Sequence, residues 1–417
     1  MDQYYHSVIL DRDKCLGCTT CLHHCPTEAI RIKDGKANID PERCIDCGEC
    51  IRVCPHQAKK AVAGSLESMN RYKWKIALPA PSLYAQFDNM DDVDYVLNGL
   101  KKIGFDDVFE VSKAAEYVSA YTRLYIKTDG IRKPVISSAC PVVIRLINIL
   151  FPSLKDNVMK LLPPVEVAAM MAKQKAMKEH PELTESEIGT FFLSPCPGKV
   201  GYVNNYTDKL GLHIDEVIAI RDVYFLLINA MKRNTELEAL SDSGMMGVGW
   251  ASSGGESTAI LNEGYLAADG ITNVIHVLNQ IENGIIPPVR FIELNACPGG
   301  CVGGVFTVQN PFISKARLQS LRHYLPISMN RLSDDEKYIP SEYFFNRFAE
   351  YAPVNRLSDN MAESMHMMSD IQRIRETLPG IDCGACGAPT CRAHAEDVVK
   401  GEVPALDCPI LRAKEMK

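Results

Sequence analysis

Cysteine is the residue type on which the chemistry of this sequence depends. The stretch 291–306, FIELNACPGGCVGGVF, holds Cys297 and Cys301 four residues apart, with glycines between and after them. Because glycine has no Cβ, it lets the backbone approach a bulky group, and two thiolates at this spacing can face that group together. We therefore expect an iron–sulfur cluster here. A closed zinc site is disfavoured, since such sites usually combine two CxxC or CxxC/HxxxH halves and none is near.

Two further cysteines stand alone upstream, each followed by proline: Cys140 in ISSACPVV and Cys196 in FFLSPCPGKV. Together with the 291–306 stretch they supply four thiolates from three loops, which is enough for one cubane. The segments ACP, PCPGK and ELNACPGGCVGG, in this order, resemble the catalytic domain of iron-only (FeFe) hydrogenases. The resemblance implies a 4Fe-4S cubane on Cys140, Cys196 and Cys297. It also implies that Cys301 bridges this cubane to a diiron unit with CO, cyanide and azadithiolate ligands, completing an H-cluster.

Other residues match positions that surround the diiron unit in this family. The resemblance implies that Ser82, in the tripeptide Ala80-Pro81-Ser82, and Lys199 hydrogen-bond the two cyanides. A hydroxyl and an ammonium suit such partially negative ligands. Taken singly, Lys199 also fits a solvated loop lysine, and Ser82 fits a turn residue. Trp250 stands where an aromatic is usual, and a packed core aromatic is the equal alternative.

The sequence departs from the highly active family members where protons are carried. Those members have a second cysteine before the first loop cysteine, whereas this chain has Ala139, and a methyl group carries no proton. Thr122 and Tyr125 stand at the places of the relay glutamates, and Ser194 and Asn295 replace the usual methionines. We therefore expect low activity, as in the members assigned to hydrogen sensing.

Eight cysteines near the N-terminus form two CxxCxxCxxxCP runs that begin 29 residues apart, at Cys15 and Cys44. This is the pattern of two-cluster bacterial ferredoxins, in which the fourth cysteine of each run ligates the other cluster. The expected ligand sets are Cys15, Cys18, Cys21 and Cys54 for one 4Fe-4S cluster, and Cys44, Cys47, Cys50 and Cys25 for the other. Electron transfer is the expected role, and a structural staple is compatible with it. The nearby histidines are interpreted as surface residues: His23, His24 and His56.

The last four cysteines have the spacing C-x2-C-x4-C-x16-C-P, which resembles a small 4Fe-4S domain of electron-transfer subunits and sensory hydrogenases. They are Cys383, Cys386, Cys391 and Cys408. Zinc is the competing metal for these four cysteines. His394 is interpreted as a surface residue. The sixteen cysteines are then divided among four 4Fe-4S clusters, and no thiol is left over.

Composition limits the class of protein. With 417 residues, a net charge of −7 and 46% hydrophobic residues, the chain fits two or three globular domains and offers no strongly basic surface for nucleic acid. No secretory signal is recognisable, and the longest apolar runs are too short to span a bilayer. We expect a cytoplasmic protein without a membrane span. The glycine-rich segment 244–260 lacks the phosphate-loop patterns, so nucleotide binding is not expected.

Apolar runs that read as strands alternate with helical patterns, which predicts an α/β domain with mostly parallel sheets. The expected strands are 75–79, 108–111, 133–139, 188–194 and 289–296, and the expected helices are 91–103, 165–180 and 258–271. Three strands run into cluster cysteines, at the ends where such sheets bind ligands. The Met-rich segment 359–380 predicts an amphipathic helix used for packing. The expected domains are a two-cluster ferredoxin-like domain (1–70), an α/β H-cluster domain (71–360) and a C-terminal 4Fe-4S domain (361–417).

The leading interpretation is an H2:acceptor oxidoreductase of the FeFe hydrogenase type that slowly and reversibly oxidises or evolves H2. Electrons would pass through the ferredoxin-type clusters to a redox partner or a downstream signalling protein. One alternative is a non-catalytic electron-transfer or cluster-assembly protein of hydrogenase descent without the diiron unit. Lys199 and Ser82 favour the hydrogenase, because a bare cubane needs neither. The other alternative, an efficient bidirectional hydrogenase, is disfavoured by Ala139.

Overall fold

The chain forms two units in a computed structural model that describes residues 4–232, 237–261, 264–333, 336–345, 357–404 and 407–415. The described residues of Met1–Ala61, Asn148–Leu150 and Tyr351–Lys417 belong to the first unit, and those of Val62–Ile147 and Phe151–Glu350 to the second. The domain boundaries after residues 70 and 360 remain predictions. Among the described residues, no helix has the length and apolar character needed to cross a membrane.

The N-terminal cysteine repeat folds as two similar halves. Its elements are β1 (Val8–Leu10), α1 (Thr20–His23), β2 (Ile30–Lys33), β3 (Lys36–Ile39), α2 (Glu49–Arg52) and β4 (Lys59–Ala61). Strand β2 pairs antiparallel with β3, and β1 pairs antiparallel with β4. Helices α1 and α2 begin 29 residues apart, as the cysteine runs do. Between the two ribbons, Leu22, Ile30 and Ala58 are buried with the cysteines in one small core. The expected ferredoxin-like architecture is confirmed.

Two parallel sheets organise the second unit. Its strands are β5 (Trp74–Pro79), β6 (Asp107–Val108), β7 (Val135–Ile136), β8 (Ile188–Ser194), β9 (Glu216–Ala219), β10 (Tyr265–Asp269) and β11 (Phe291–Asn295). One sheet has the order β6-β5-β8-β9 and the other β10-β11-β7, with every pairing parallel. Every residue of β8 is buried. Its largely apolar sequence follows from helices covering both faces of a parallel sheet.

Helices and short 3-10 turns connect these strands. The helices are α3 (Pro81–Tyr84), α4 (Asp94–Lys102), α5 (Val111–Lys127), α6 (Pro141–Leu150), α7 (Pro164–Glu179), α8 (Pro197–Leu210), α9 (Ile220–Lys232), α10 (Met245–Gly249), α11 (Gly255–Ala259), α12 (Ile271–Glu282) and α13 (Pro311–Arg322). The 3-10 turns are Leu66–Arg71, Pro152–Asn157, Glu185–Glu187, Cys301–Gly303 and Ser341–Tyr343. Proline opens α3, α6, α7, α8 and α13, where its missing N–H costs no hydrogen bond.

The prediction of one helix over 258–271 is wrong. The structure ends α11 at Ala259 and places β10 at Tyr265–Asp269, paired in register with β11 from Tyr265↔Phe291 to Asp269↔Asn295. Local helix propensity of Leu266, Ala267 and Ala268 is overridden by this pairing, because β11 would otherwise present an unpaired edge on this side.

The C-terminal part consists of α14 (Met361–Thr377), α15 (Cys391–Val399) and α16 (Pro409–Glu415). Ile371 of α14 is buried against Ala395 of α15 and Cys408. The expected packing role of the methionines is wrong for most of them, because Met361, Met365 and Met368 are 77%, 68% and 49% exposed.

Candidate metal centre

The four loop cysteines come together at the carboxyl ends of parallel strands. Cys140 follows β7, Cys196 follows β8, and Cys297 follows β11, while Cys301 opens a 3-10 turn. All four line one cavity that contains about 930 Å³ of atom-free space, part of which is open to solvent. Three segments that are far apart in sequence thus present their thiols to one space.

Helix starts position two of these thiols. Cys140 and Cys196 are the N-cap residues of α6 and α8, and each is followed by proline at the first helical position. The positive end of a helix favours a thiolate at this place. Ser194 stabilises the loop that carries Cys196, because its Oγ accepts a hydrogen bond of 3.0 Å from the Cys196 amide.

The glycines of the third loop are needed for contacts between backbones. Gly300 has φ of +93°, and a Cβ there would collide with the backbone of Ser252 and Ser253. A Cβ on Gly304 would collide with the Pro195 carbonyl, which also accepts a hydrogen bond of 3.1 Å from Phe306 N. These two glycines therefore let the loop of Cys297 and Cys301 pack closely against the loop of Cys196 and against the 250–255 segment.

Two polar side chains at this cavity fit an anionic, hydrogen-bond-accepting group. Ser82 is fully buried in α3 and lines the cavity, and its Oγ has no hydrogen-bond partner among the described residues. Lys199, in the first turn of α8, is 8% exposed. Burial lowers the pKa of Lys199, while the Cys196 thiol and the Glu166 carboxyl oppose that shift. A buried hydroxyl and ammonium facing the same space would be costly without a partner there.

Burial is also the main cause of the pKa shifts of three cysteine thiols at this cavity. It raises the pKa of Cys140, raises that of Cys196 far above its usual range, and raises that of Cys301 to about 12. Mutual proximity adds to the shift at Cys196 and Cys301. Neighbouring buried thiolates need compensating cations, which is what iron supplies on coordination. The donor set and the two polar side chains thus fit a cubane with an attached anionic unit.

The other candidate residues take different places. Ala80, Pro81, Ala139, Trp250 and Asn295 line the cavity, whereas Ser194 is not among its lining residues. Trp250 donates from Nε1 to Ser119 Oγ over 3.0 Å, and Asn295 donates from Nδ2 to Glu293 Oε1 over 2.9 Å.

Two buried glutamates in the cavity wall were missed from the sequence. Glu256 is 3% exposed and Glu293 is 2% exposed, and both line the cavity. Glu256 Oε2 accepts a hydrogen bond of 2.6 Å from Ser137 Oγ, while its Oε1 has no partner among the described residues. Burial and the negative charge of Glu293 raise the pKa of Glu256 well above its usual range. For Glu293, the signal available in the sequence was a charged residue inside the largely apolar strand FIELN.

Glu293 has a different environment. Its Oε1 accepts from Gly254 N and its Oε2 from Ser257 N, each over 2.9 Å. These contacts connect strand β11 to helix α11 and to the residue that precedes it. Glu293 is therefore fixed as an acceptor, whereas Glu256 keeps one oxygen free of protein donors among the described residues.

In the N-terminal repeat, the cysteines surround two cavities with the crossed membership expected of a two-cluster ferredoxin. One is lined by Cys15, Cys18, Cys21 and Cys54, and the other by Cys25, Cys44, Cys47 and Cys50. Backbone amides of Ala29 and Ala58 donate to Cys25 and Cys54 Sγ over 3.2 and 3.3 Å. His23 and His24 are exposed, whereas His56 is half-buried and lines the first cavity.

The four C-terminal cysteines also surround one cavity. His394 lines it and is 2% exposed, so its interpretation as a surface residue is wrong. The cause is the packing of α15, in which Ala393, His394 and Ala395 form a buried turn. Burial lowers the pKa of His394.

The C-terminal cavity lies against the ferredoxin-like part of the same unit. Ile32, which lines the cavity of Cys15, donates its N–H to Gly387 O over 2.8 Å. A Cβ on Gly384 would stand 2.8 Å from His23 Nε2. Both glycines lie within two residues of Cys386, so the Ile32 strand and His23 contact the loop that carries this cysteine.

A family model described as the iron-only hydrogenase large subunit, C-terminal domain, matches residues 73–267 and 259–305, which is more than half of the chain. The chain belongs to the iron-only hydrogenase family. A 4Fe-4S dicluster domain matches residues 7–55, and an Fe-S cluster domain matches residues 378–410. The ferredoxin-like, hydrogenase-type and C-terminal iron–sulfur parts expected from the sequence are thereby confirmed.

Curated relatives of this hydrogenase-family chain are distant. It is 28% identical to the periplasmic Fe hydrogenase large subunit of Nitratidesulfovibrio vulgaris, over 72% of this chain and 86% of that protein. It is 26% identical to iron hydrogenase 1 of Clostridium pasteurianum, over 73% of this chain and 65% of that protein. A solved variant of FeFe-hydrogenase HydA1 from Chlamydomonas reinhardtii shares 15% identity, covers 63% of this chain and 90% of that chain, and gives a TM-score of 0.49.

Proposed function

We propose that this chain binds an H-cluster and slowly, reversibly interconverts H2 with protons and electrons, serving hydrogen sensing or redox regulation. The observation that carries the proposal is the convergence on one cavity of four cysteines, Lys199 and Ser82, whose hydroxyl has no partner within the described part of the chain. When bound, the diiron unit supplies the site at which H2 is split into two protons and two electrons.

The protein's own part begins with holding that unit. Cys140, Cys196 and Cys297 would ligate the cubane, and Cys301 would connect the cubane to the diiron unit. Lys199 and Ser82 would each donate to a cyanide, which fixes the unit without another covalent bond. Trp250 and Asn295 would close the wall around it.

A carboxyl group in the same wall can hold the proton that Ala139 cannot. Ala139 N donates to Ser137 Oγ over 3.1 Å, and Ser137 in turn donates to Glu256. Glu256 thus lies one hydroxyl away from the position of the missing cysteine. Burial and the charge of Glu293 raise the pKa of Glu256, which favours its protonated form, so it can donate a proton from the cavity wall or accept one there.

The expected relay positions on α5 offer no such group. Thr122 Oγ1 donates to the Val118 carbonyl over 2.8 Å, and Tyr125 Oη accepts from Lys160 N over 3.4 Å. Neither side chain lines the cavity. Low turnover is therefore expected, with proton movement limited to what Glu256 supports.

Electrons would pass through the ferredoxin-type clusters and the C-terminal cluster to a redox partner or a signalling protein. Each cluster takes one electron at a time, so the two electrons of H2 must be divided between clusters. Four cysteine sites thus give the chain room to store both electrons.

The test is anaerobic reconstitution followed by maturation with the synthetic diiron cofactor. We expect about 16 irons in four cubanes, rising to about 18 with the cofactor, and infrared bands of iron-bound CO and cyanide. Protein carrying cubanes but not treated with the cofactor is the control. Full cubane loading without any such bands after maturation would instead support the non-catalytic alternative.

A further inference from the structure

The two halves of the N-terminal repeat differ in charge at equivalent positions. Adding 29 to a residue number in the first half gives its counterpart in the second, as the cysteines show. By this rule Ile30 corresponds to Lys59, and Gly17 corresponds to Asp46. Equivalent positions of the two halves have similar burial: Ala29 is 2% exposed and its counterpart Ala58 is 1% exposed.

Lys59 is a buried cation where the repeat has an apolar residue. It is 3% exposed, close to the 1% of Ile30. Its Nζ is buried and has no hydrogen-bond partner among the described residues. The side chain lines the cavity of Cys15, Cys18, Cys21 and Cys54, while Ile30 lines the other cavity. A buried ammonium is retained without a protein partner only where an anion compensates it.

A second cation stands close to the same site. Lys36 is half-buried, and its Nζ donates to the Cys15 carbonyl over 2.6 Å and to the Arg12 carbonyl over 2.9 Å. Lys36 is held by these carbonyls, so Lys59 is the ammonium in the cavity wall that a bound cluster would compensate.

Asp46 gives the other cavity the opposite charge. It is 3% exposed and lines the cavity of Cys25, Cys44, Cys47 and Cys50. Its Oδ1 accepts hydrogen bonds from Ser7 N over 2.9 Å and from Ser7 Oγ over 3.0 Å. At the equivalent place in the first cavity, Gly17 has no side chain. Lys59 lines only the first cavity and Asp46 only the second among the described residues. Burial raises the pKa of Cys50 in the second set, and the charge of Lys59 opposes that rise, so Lys59 acts on both sites. The two departures from the repeat therefore make the first site more positive relative to the second.

We propose that Lys59 and Asp46 separate the reduction potentials of the two ferredoxin-type clusters, so that the cluster on Cys15, Cys18, Cys21 and Cys54 is reduced first. A 4Fe-4S cluster with four thiolates carries a charge of about −2 when oxidised and about −3 after one electron. A nearby cation stabilises the more negative state, and a nearby anion destabilises it.

The direction has a functional consequence. Electrons arriving at the pair therefore collect on the cluster of Cys15, Cys18, Cys21 and Cys54. The C-terminal part contacts both sites, through the bond from Ile32 N to Gly387 O beside the first and the bond from Thr390 Oγ1 to Glu28 Oε1 beside the second. The inference rests on the cluster assignments and does not require H2 turnover.

The test is a redox titration of full-length reconstituted protein, followed by electron paramagnetic resonance of the reduced clusters. Lys59→Met should lower one midpoint so that the reduced-to-oxidised ratio at fixed potential falls at least tenfold, which corresponds to about 59 mV. Asp46→Asn, which keeps an acceptor for Ser7, should raise the midpoint of the other cluster. Lys60→Met is the matched control, because Lys60 is the exposed neighbour of Lys59, and it should leave both midpoints in place.

Three results would overturn the proposal. The first is a Lys59→Met shift no larger than that of Lys60→Met. The second is a shift of the same midpoint by Lys59→Met and Asp46→Asn. The third is failure of both Lys59→Met and Lys59→Gln to take up iron, because the ammonium would then serve assembly rather than potential. Infrared bands of the matured active site report separately on the hydrogenase proposal, so failure of one leaves the other testable.

Discussion

The guanidinium of Arg31 in β2 forms a two-point ion pair with the carboxylate of Asp397 in α15, at 2.6 and 3.1 Å. The two side chains are only 13% and 8% exposed. A second pair, Arg43 with Glu396 at 2.5 Å, is equally shielded. Two ion pairs that are largely shielded from solvent thus connect the C-terminal iron–sulfur part to the ferredoxin-like part.

Asp397→Asn should weaken this attachment by about 3 kcal/mol, because it leaves the shielded Arg31 charge unpaired. The measurement is hydrogen exchange at Ile32, whose amide donates to Gly387 across the contact. We expect much faster exchange there in the variant. Glu402→Gln is the control, since its pair with Lys33 is 45% and 43% exposed and is worth at most about 1 kcal/mol. Equal exchange in both variants would mean that the ion pair does not hold the contact.

Lys199→Ala should release the diiron unit while leaving the adjacent cubane in place. Losing a charge-assisted hydrogen bond in a buried site costs about 1.5–3 kcal/mol, or roughly 10- to 150-fold in retention. The measurement compares infrared band intensity with iron content after maturation. Lys178→Ala, which removes an exposed lysine of α7, serves as the control. If cubane and diiron unit are lost together, Lys199 has a folding role instead.

Glu256→Gln should slow proton exchange without disturbing the bound cofactor. Glutamine preserves the acceptor for Ser137 but has no titratable proton, so we expect hydrogen–deuterium exchange activity to fall about 100-fold. The infrared bands of CO and cyanide should stay, while the carbonyl band of a protonated carboxylic acid should disappear. Glu179→Gln, at an exposed carboxylate, is the control. Unchanged exchange in Glu256→Gln would remove this group from the proton route.

Glu166 predicts a pH dependence of stability. It is fully buried, and burial raises its pKa to about 7, while the hydrogen bond from His213 N opposes the shift. In the unfolded chain a glutamate titrates near about 4.3. Between about pH 4.3 and 7 the folded state therefore holds a proton that the unfolded state has released, so stability falls as pH rises, by roughly 3 kcal/mol in total.

Glu166→Gln should remove that decline, because glutamine keeps an acceptor for His213 N but binds no proton. The measurement is the denaturation midpoint of the variant and the parent chain across this pH range. The two curves should coincide near pH 4 and diverge toward pH 7, with the variant more stable. Parallel curves would show that Glu166 titrates normally.

Local spacing was enough to determine the cysteine chemistry. The CxxCxxCxxxCP runs predict ferredoxin-type clusters, because four thiolates at these intervals can surround one cubane and few other structures need them. The same holds for the largely apolar run of β8, whose observed bounds, Ile188–Ser194, are those predicted. In each case the pattern lies within one short segment, so the structure that it predicts does not depend on contacts with residues distant in sequence.

Only the tertiary structure decided the features that depend on distant partners. Residues 265–269 became a strand because β11 offered a parallel edge. Glu256 became a buried acid because the loop before α11 carries it to the cavity wall, beside Ser137. Lys59 and His394 became buried for the same kind of reason: the faces of β4 and α15 on which they lie are covered by other segments. Sequence specifies which groups are present, whereas burial and neighbouring charges, which set their chemistry, arise only when separate segments pack together.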